Sequence, residues 1–244
     1  MRLKDKVAFI TGGGRGIGRA IALGYAREGA PVVVAARTQA EVDAVAEEIR
    51  APGQKALAVT CDVADEEQVK AALARALDEF GRVDILVNNA GTGGGLRFIH
   101  GLPLSNWERT LAVNLTGTFL CTKHVWKAMQ TQGGGVIINV SSLGGRRGLP
   151  LQSAYAASKW GQLGFTLSAA EAGKPHNIRV NAIAPGRGDT AMRAAIHEDK
   201  SKILRAEDHV GVCVFLASDE ARYITGQIIE LDWFGTESEE ATAG

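Results

Sequence analysis

Short apolar runs recur along the chain between stretches of helical period. Val7–Ile10, Val32–Ala36, Ala56–Thr60, Ile85–Val87, Val136–Val140, Arg179–Ile183 and Ile228–Leu231 are too short for buried helices, so they predict strands. Between them Val42, Val45, Ala46 and Ile49 repeat at i, i+3, i+4 and i+7. Val69, Leu73, Ala76, Leu77 and Phe80 keep a similar spacing, and both segments predict amphipathic helices. Alternation of this kind predicts an α/β fold, because right-handed crossovers lay helices over both faces of a parallel sheet. The expected product is a doubly wound parallel sheet of about seven strands, with ligand at the carboxyl ends of the strands where their order reverses. No repeat or linker divides the sequence, so residues 1–244 are expected to form a single domain. The acidic, small-residue tail Glu237–Gly244 is expected to fray.

Composition narrows the partners. Lys+Arg and Asp+Glu are balanced at 27 each, which gives no global positive field to draw the chain to nucleic acid or to an anionic membrane. A small molecule is the expected partner. Cys61, Cys121 and Cys213 show no CxxC pairing and no nearby His at metal spacing, which predicts buried thiols in a reducing compartment and no metal site. The start of the chain runs straight into the first strand without a signal-like apolar region, and no later run reaches the ~18 residues of a membrane span. The expectation is a cytoplasmic protein.

Directly after the first strand comes Thr11-Gly12-Gly13-Gly14-Arg15-Gly16-Ile17-Gly18, opening a helix. Glycines between a strand and a helix allow a tight turn, close approach of backbone to a pyrophosphate, and an anion at the positive helix end. A plain turn is the bland alternative. The second strand ends Ala35-Ala36-Arg37-Thr38, where a site for NAD(H) would carry an acidic side chain to bind the ribose 2′-hydroxyl. Ala36 leaves that place free, and Arg37 with Arg15 can offer donors to a 2′-phosphate, which favours NADP(H) over NAD(H). Both arginines also fit ordinary surface positions.

The fifth strand runs into Ser141-Ser142, and Tyr155 and Lys159 follow at i and i+4 on a long helical stretch. That spacing projects both side chains from one helix face. An unperturbed phenol, with pKa about 10, holds its proton too tightly for exchange near neutrality, and a neighbouring ammonium lowers that value. Ser142 can then donate to a substrate oxygen on which charge develops. A Tyr-x3-Lys pair alone is usually an exposed helix face, so its company decides.

The company resembles one family. Gly12-x3-Gly16-x-Gly18, Cys61-Asp62-Val63, Asn88-Asn89-Ala90-Gly91, Asn114, Ser142, Tyr155-x3-Lys159 and Pro185-Gly186-Arg187-Gly188-Asp189-Thr190 stand in the chain order of the short-chain dehydrogenases/reductases, which share a Rossmann-type fold. The resemblance runs nearly the whole length, through Phe215–Ser218 and Tyr223–Gln227. It implies an oxidoreductase that moves a hydride between a nicotinamide cofactor and a carbonyl or alcohol carbon. Asn114, Ser142, Tyr155 and Lys159 would form its catalytic tetrad, with the asparagine distorting its helix. Gly12, Gly14, Arg15, Gly16, Ile17, Gly18, Arg37, Asp62, Val63, Asn89, Ala90, Gly91, Tyr155, Lys159, Pro185, Gly186, Gly188 and Thr190 would line the cofactor. Asp62 would meet the adenine, although on residues alone a helix N-cap fits it nearly as well. Gly188 departs from the branched apolar residue of most members, and Asp232-Trp233-Phe234-Gly235 replaces the usual Asp-Gly-Gly close. The family commonly forms dimers and tetramers, so a homo-oligomer is expected, with Trp233 and Phe234 as candidates for its interface.

Three alternatives remain at this point. A non-enzymatic NADP(H)-binding sensor or scaffold would not need the tetrad. A sugar-nucleotide epimerase would need a longer segment after the sixth strand. A 3-oxoacyl-acyl-carrier-protein reductase would need a basic landing patch for its acidic carrier, yet Gln130–Gly135 has no cation and Lys174-Pro175-His176-Asn177 offers one lysine. Arg146 and Arg147 are either a substitute patch, partners for an anionic group on a small substrate, or solvated loop charges. A free small ketone or secondary alcohol is the expected substrate.

Overall fold

The computed structural model describes residues 1–186 and 203–232. Their strands are β1 Ala8–Thr11, β2 Val32–Ala36, β3 Ala56–Thr60, β4 Ile85–Asn88, β5 Gly135–Val140, β6 Ile178–Pro185 and β7 Ile228–Leu231. They form one sheet in the order β3-β2-β1-β4-β5-β6-β7, with every neighbouring pair parallel. The seven runs expected from the apolar pattern are these seven strands. β6 continues to Pro185 because Ala184 and Pro185 still pair with Glu230 and Leu231 of β7.

The chain leaves β1 toward β2 and β3, then crosses back to place β4 on the other edge of β1. Ile10 is therefore in register with Val34 on one side and Val87 on the other. The crevice where strand order reverses lies between β1 and β4, which puts Thr11 and Asn88 at its mouth.

Side chains of a strand alternate between faces, and both faces of this sheet are covered. Ala8 and Ile10 point into a core built with helices α1 (Gly16–Arg27), α2 (Gln39–Arg50) and α7 (Val210–Ala217). Phe9 points into a second core with α3 (Glu66–Phe80), α5 (Gly117–Thr131) and α6 (Ser153–Gly173). Val42, Val45, Ala46 and Ile49 of α2 are all buried, as are Val69, Leu73 and Ala76 of α3, so the helical period marks the packed stripe. The three cysteines are buried, and burial raises the Cys61 thiol to about 11 and the Cys213 thiol to about 12. Helix α4 (Leu104–Leu111) continues through a π turn, Ala112–Thr116, into α5. Among the described residues no helix is long and apolar enough to cross a membrane. Arg187, Gly188, Asp189, Thr190, Trp233, Phe234 and the segment 237–244 lie outside the described residues.

Candidate active site

The glycine turn is shaped by what surrounds it. Gly12 and Gly16 have positive φ of 64° and 55°, a region that disfavours side chains. A methyl group on Gly18 would collide with the Gly12 carbonyl oxygen and the Asn89 amide, and one on Gly13 would press on Val34. The turn thus sits tight on β1, β2 and the end of β4. Asn89 sews it there: its Nδ2 donates to the carbonyls of Thr11 at 3.0 Å and Gly12 at 3.1 Å. Thr11 Oγ1 in turn accepts from the backbone N–H groups of Asn89 and Ala90, both at 3.0 Å.

Beyond the turn, α1 begins at Gly16 with no side-chain cap and no acid in its first turn. Unpaired N–H groups with the positive end of the helix dipole favour an anion at that end. These residues fit a pyrophosphate. Ala36 ends β2 half-buried, and Arg37 follows it on the surface. Arg15 is exposed too, and its guanidinium lies 3.6 Å from the Glu41 carboxylate of α2, whose side chain also packs against Gly14.

Asp62 is not a helix cap. Asp65 caps α3, accepting from the N–H groups of Glu67 and Gln68. Asp62 instead accepts from the Ala64 N–H at 3.1 Å and pairs with Arg109 of α4 at 2.7 Å. Burial opposes its charge, but the Arg109 hydrogen bond, the Ala64 N–H and the nearby Arg37 together hold its carboxyl below the usual range. The pairing with Arg109 was invisible in the sequence, where the two stand 47 residues apart. Val63, also buried, packs against Gly117 at the start of α5.

The other end of the crevice gathers the four polar residues of the candidate tetrad. Asn114 lies in the π turn, fully buried, and is clamped to the segment after β4. Its Oδ1 accepts from the Thr92 N–H at 2.8 Å, and its Nδ2 donates to the Thr92 carbonyl and to Ser158 Oγ, each at 2.9 Å. The helix distortion expected at this asparagine is the π turn itself. Ser142 follows β5 and opens a 3-10 turn, Leu143–Gly145, by accepting from the Gly144 N–H at 3.0 Å. Its hydroxyl donates only weakly, to the Pro185 carbonyl at 3.5 Å.

Gly144 and Gly145 let α6 come close to this turn. A methyl on Gly144 would lie 3.1 Å from the Tyr155 ring and 3.4 Å from Ser142 Oγ, and one on Gly145 would meet the Lys159 backbone at 2.9 Å. Ser142 and Tyr155 therefore flank one glycine. Lys159, 4% exposed, directs Nζ to the Val140 carbonyl at 2.8 Å and to Gln162 Oε1 at 3.1 Å, and it stands 5.9 Å from the centre of the Tyr155 ring. Burial alone pulls its ammonium down to about 7. Gly91, at the end of the Asn88–Gly91 stretch, borders the same spot: a methyl there would lie 3.4 Å from Asn114 Oδ1 and 3.9 Å from Lys159 Nζ. Asn88 supports the sheet beneath, donating to Thr122 at 3.2 Å and Asn139 at 2.9 Å. Pro185 ends β6 beside β7, and the N–H of Gly186 after it donates to the Leu231 carbonyl at 2.6 Å. Among the described residues no cluster of His, Cys, Asp or Glu is arranged to hold a metal.

Comparison with known proteins gives the chain its relatives. Residues 6–201 match the family model described as short chain dehydrogenase. The chain is 40% identical over 239 residues to a 3-oxoacyl-[acyl-carrier-protein] reductase of Synechocystis sp., covering 94% of this chain and 96% of that protein. It is 39% identical over 238 residues to the cis-4-hydroxycyclohexanecarboxylate dehydrogenase of Sinomonas cyclohexanicum, covering 93% and 95%. The crystal structure of levodione reductase superposes with a TM-score of 0.89 at 34% identity, covering 95% of this chain and 97% of that one.

The buried lysine has a measurable signature. An exposed lysine in the unfolded chain titrates near ~10.4, so the unfolded state binds this proton more tightly than the folded state holds it. The penalty is full below about 7 and is relieved as pH rises toward the unfolded value. Lys159→Met should remove that relief. Between pH 7 and 9.5 the stability of the wild type should gain on the variant by up to about 1.4 kcal/mol per pH unit. Urea unfolding of both proteins at the two pH values checks this, and a constant difference would place the ammonium in water.

Proposed function

The chain belongs to the short-chain dehydrogenases, oxidoreductases of CH–OH and C=O carbons that use a nicotinamide cofactor, and we propose that this member uses NADP(H) on a small free ketone or secondary alcohol. The observation that carries the chemical half is the convergence of Ser142, Tyr155 and the buried Lys159 around Gly144 and Gly91. We take residues 1–244 as one domain serving this site, acting in the cytoplasm.

When bound, the cofactor supplies or takes up the hydride. The chain's own residues manage the proton. In the reducing direction the Tyr155 hydroxyl gives its proton to the substrate oxygen as charge develops there, and the Lys159 ammonium stabilises the phenolate left behind. Ser142, whose hydroxyl accepts from the Gly144 N–H and spends its own proton on a long bond to Pro185, is available to donate to that same oxygen. Asn114 keeps the Thr92 segment and Ser158 of α6 in place, and it would carry a water that links Lys159 to solvent. Gly12, Gly14, Gly16, Ile17 and Gly18 would cradle the pyrophosphate. Asp62, Val63, Asn89, Ala90 and Gly91 would line the adenosine and its ribose, and Pro185, Gly186, Gly188 and Thr190 the nicotinamide.

The choice of NADP(H) rests on the end of β2, where Ala36 stands in place of an acid and Arg37 is exposed. Arg15 would exchange Glu41 for the 2′-phosphate, since a 3.6 Å pair between exposed groups is weak. The second reading, a carrier-dependent 3-oxoacyl reductase, draws on the name of the Synechocystis relative. Against it, Lys174 pairs with Glu171 at 2.6 Å and Arg146 with Glu230 at 2.7 Å, which leaves exposed Arg147 as the remaining cation of these candidate patches and a thin positive surface for an acidic carrier. Exposed Phe119 on α5 and Trp160 and Leu167 on α6 support assembly into a homo-oligomer.

Three measurements test these proposals. Tyr155→Phe should lower turnover about a hundredfold or more, while NADPH affinity by fluorescence titration stays within a few-fold; retained turnover would remove the tyrosine from the chemistry. Ala36→Asp with Arg37→Ala should move the ratio of kcat/KM for NADPH over NADH toward NADH by at least about tenfold, through repulsion of the 2′-phosphate. A wild type that already prefers NADH would overturn the cofactor reading. Finally, kcat/KM on a carrier-bound 3-oxoacyl thioester should exceed that on a short free analogue by less than about tenfold, roughly 1.4 kcal/mol. A larger advantage that collapses with added salt would establish the carrier reading instead.

A further inference from the structure

A line of buried hydrogen bonds runs from the π turn to Lys159, and one of its members has had no part in the site so far. The Thr118 hydroxyl donates to the Asn114 carbonyl at 2.9 Å. With its single proton committed, Thr118 Oγ1 can only accept from its next neighbour. That neighbour is Gln162, whose Nε2 donates to it at 2.8 Å. The carboxamide is thereby turned with Oε1 toward Lys159 Nζ at 3.1 Å. Donor and acceptor counting fixes the orientation of the amide, because the reversed amide would set an N–H against an ammonium.

We infer that Gln162 is a positioning residue, a neutral acceptor locked by Thr118 that holds the Lys159 ammonium in place and stabilises its charged form. A fully buried glutamine is costly unless both ends of its amide are paired, and here both are. Thr118 already has a partner in the Asn114 carbonyl, so the end of Gln162 that faces Lys159 is the one that needs a purpose. Lys159 has no carboxylate contributing to its titration, and Tyr155 is the titratable side chain facing it among the described residues. Two dipoles, the Val140 carbonyl and Gln162 Oε1, therefore offset its desolvation. They occupy two of its three N–H donors and leave the third for the crevice.

This inference rests on the reading of Lys159 as the group that tunes Tyr155, but it can be tested separately, by NMR of protein labelled at lysine Cε and Nζ. The Lys159 signal is identified by its loss in Lys159→Met. Gln162→Leu removes an acceptor from the charged form, so the proton affinity of Lys159 should fall at least about tenfold. Gln162→Glu replaces the dipole with an anion, so it should rise by at least a similar factor. Thr118→Val frees the amide to turn and should act in the direction of Gln162→Leu, which gives an answer even if the leucine variant does not fold. A Lys159 titration that stays within about twofold of the wild type in the folded variants would overturn the proposal. If the titration follows Gln162 as expected while Tyr155→Phe keeps its turnover, the Tyr155 assignment fails and the role of Gln162 stands.

Discussion

The site is organised by one expensive act, the removal of a lysine charge from water with no carboxylate among the described residues to meet it. Lys159 lies on α6 beneath the end of β5, and burial has lowered its affinity for the proton to the neutral range. Such a charge persists only where oriented dipoles replace the lost hydration. Several local oddities of the chain serve that end. The π turn delivers Asn114, Gly144 and Gly145 admit α6 to the strand end, and Ser158, Lys159, Gln162 and Thr166 put a polar stripe on a helix face that sequence patterning would have filled with apolar residues. The Ser141 hydroxyl even donates to the Lys159 carbonyl at 3.2 Å, holding the helix backbone beside the turn.

The cofactor half of the crevice obeys a different constraint, close approach of backbone. Thr11 and Asn89 lock the ends of β1 and β4 to the glycine turn, so the start of α1 is presented on a rigid base. The two halves meet at Gly91, where even a methyl group would touch both Asn114 and Lys159. The Asp62–Arg109 pair adds a second tie, from the end of β3 to the helix that runs into the π turn. Geometry at Asp62 and geometry at Asn114 are thus connected through α4.

Strand positions were legible because both sheet faces are covered, and apolar runs such as Val32–Ala36 then stand out against polar turns. The Gly12–Gly18 turn and the Tyr155–Lys159 spacing were legible because each depends on neighbours in sequence. What escaped was long-range. Asp62 sits beside Asp65, Glu66 and Glu67, and nothing in that acidic run says that Asp65 caps the helix while Asp62 reaches α4. Gln162 left a fainter mark: it stands three residues after Lys159, hence on the same face, but only the packing of α5 against α6 reveals that this face is buried. Glu41 beside Arg15 is of the same kind, a charge pair made when α2 folds back over the glycine turn.

The position of β1 also bears on how the molecule is made. As the chain is synthesised, β1 finds β2 and β3 within its first sixty residues, but its other edge waits for β4. Val7 and Asp84, which join there, are 77 residues apart. Until β4 emerges from the ribosome, a short strand apolar on both faces keeps an open row of backbone donors and acceptors. That nascent edge is where a stalled or truncated polypeptide of this kind would stick to another copy. The crevice proposed as the ligand site is therefore also the seam that stays open longest for β1 as the chain is made.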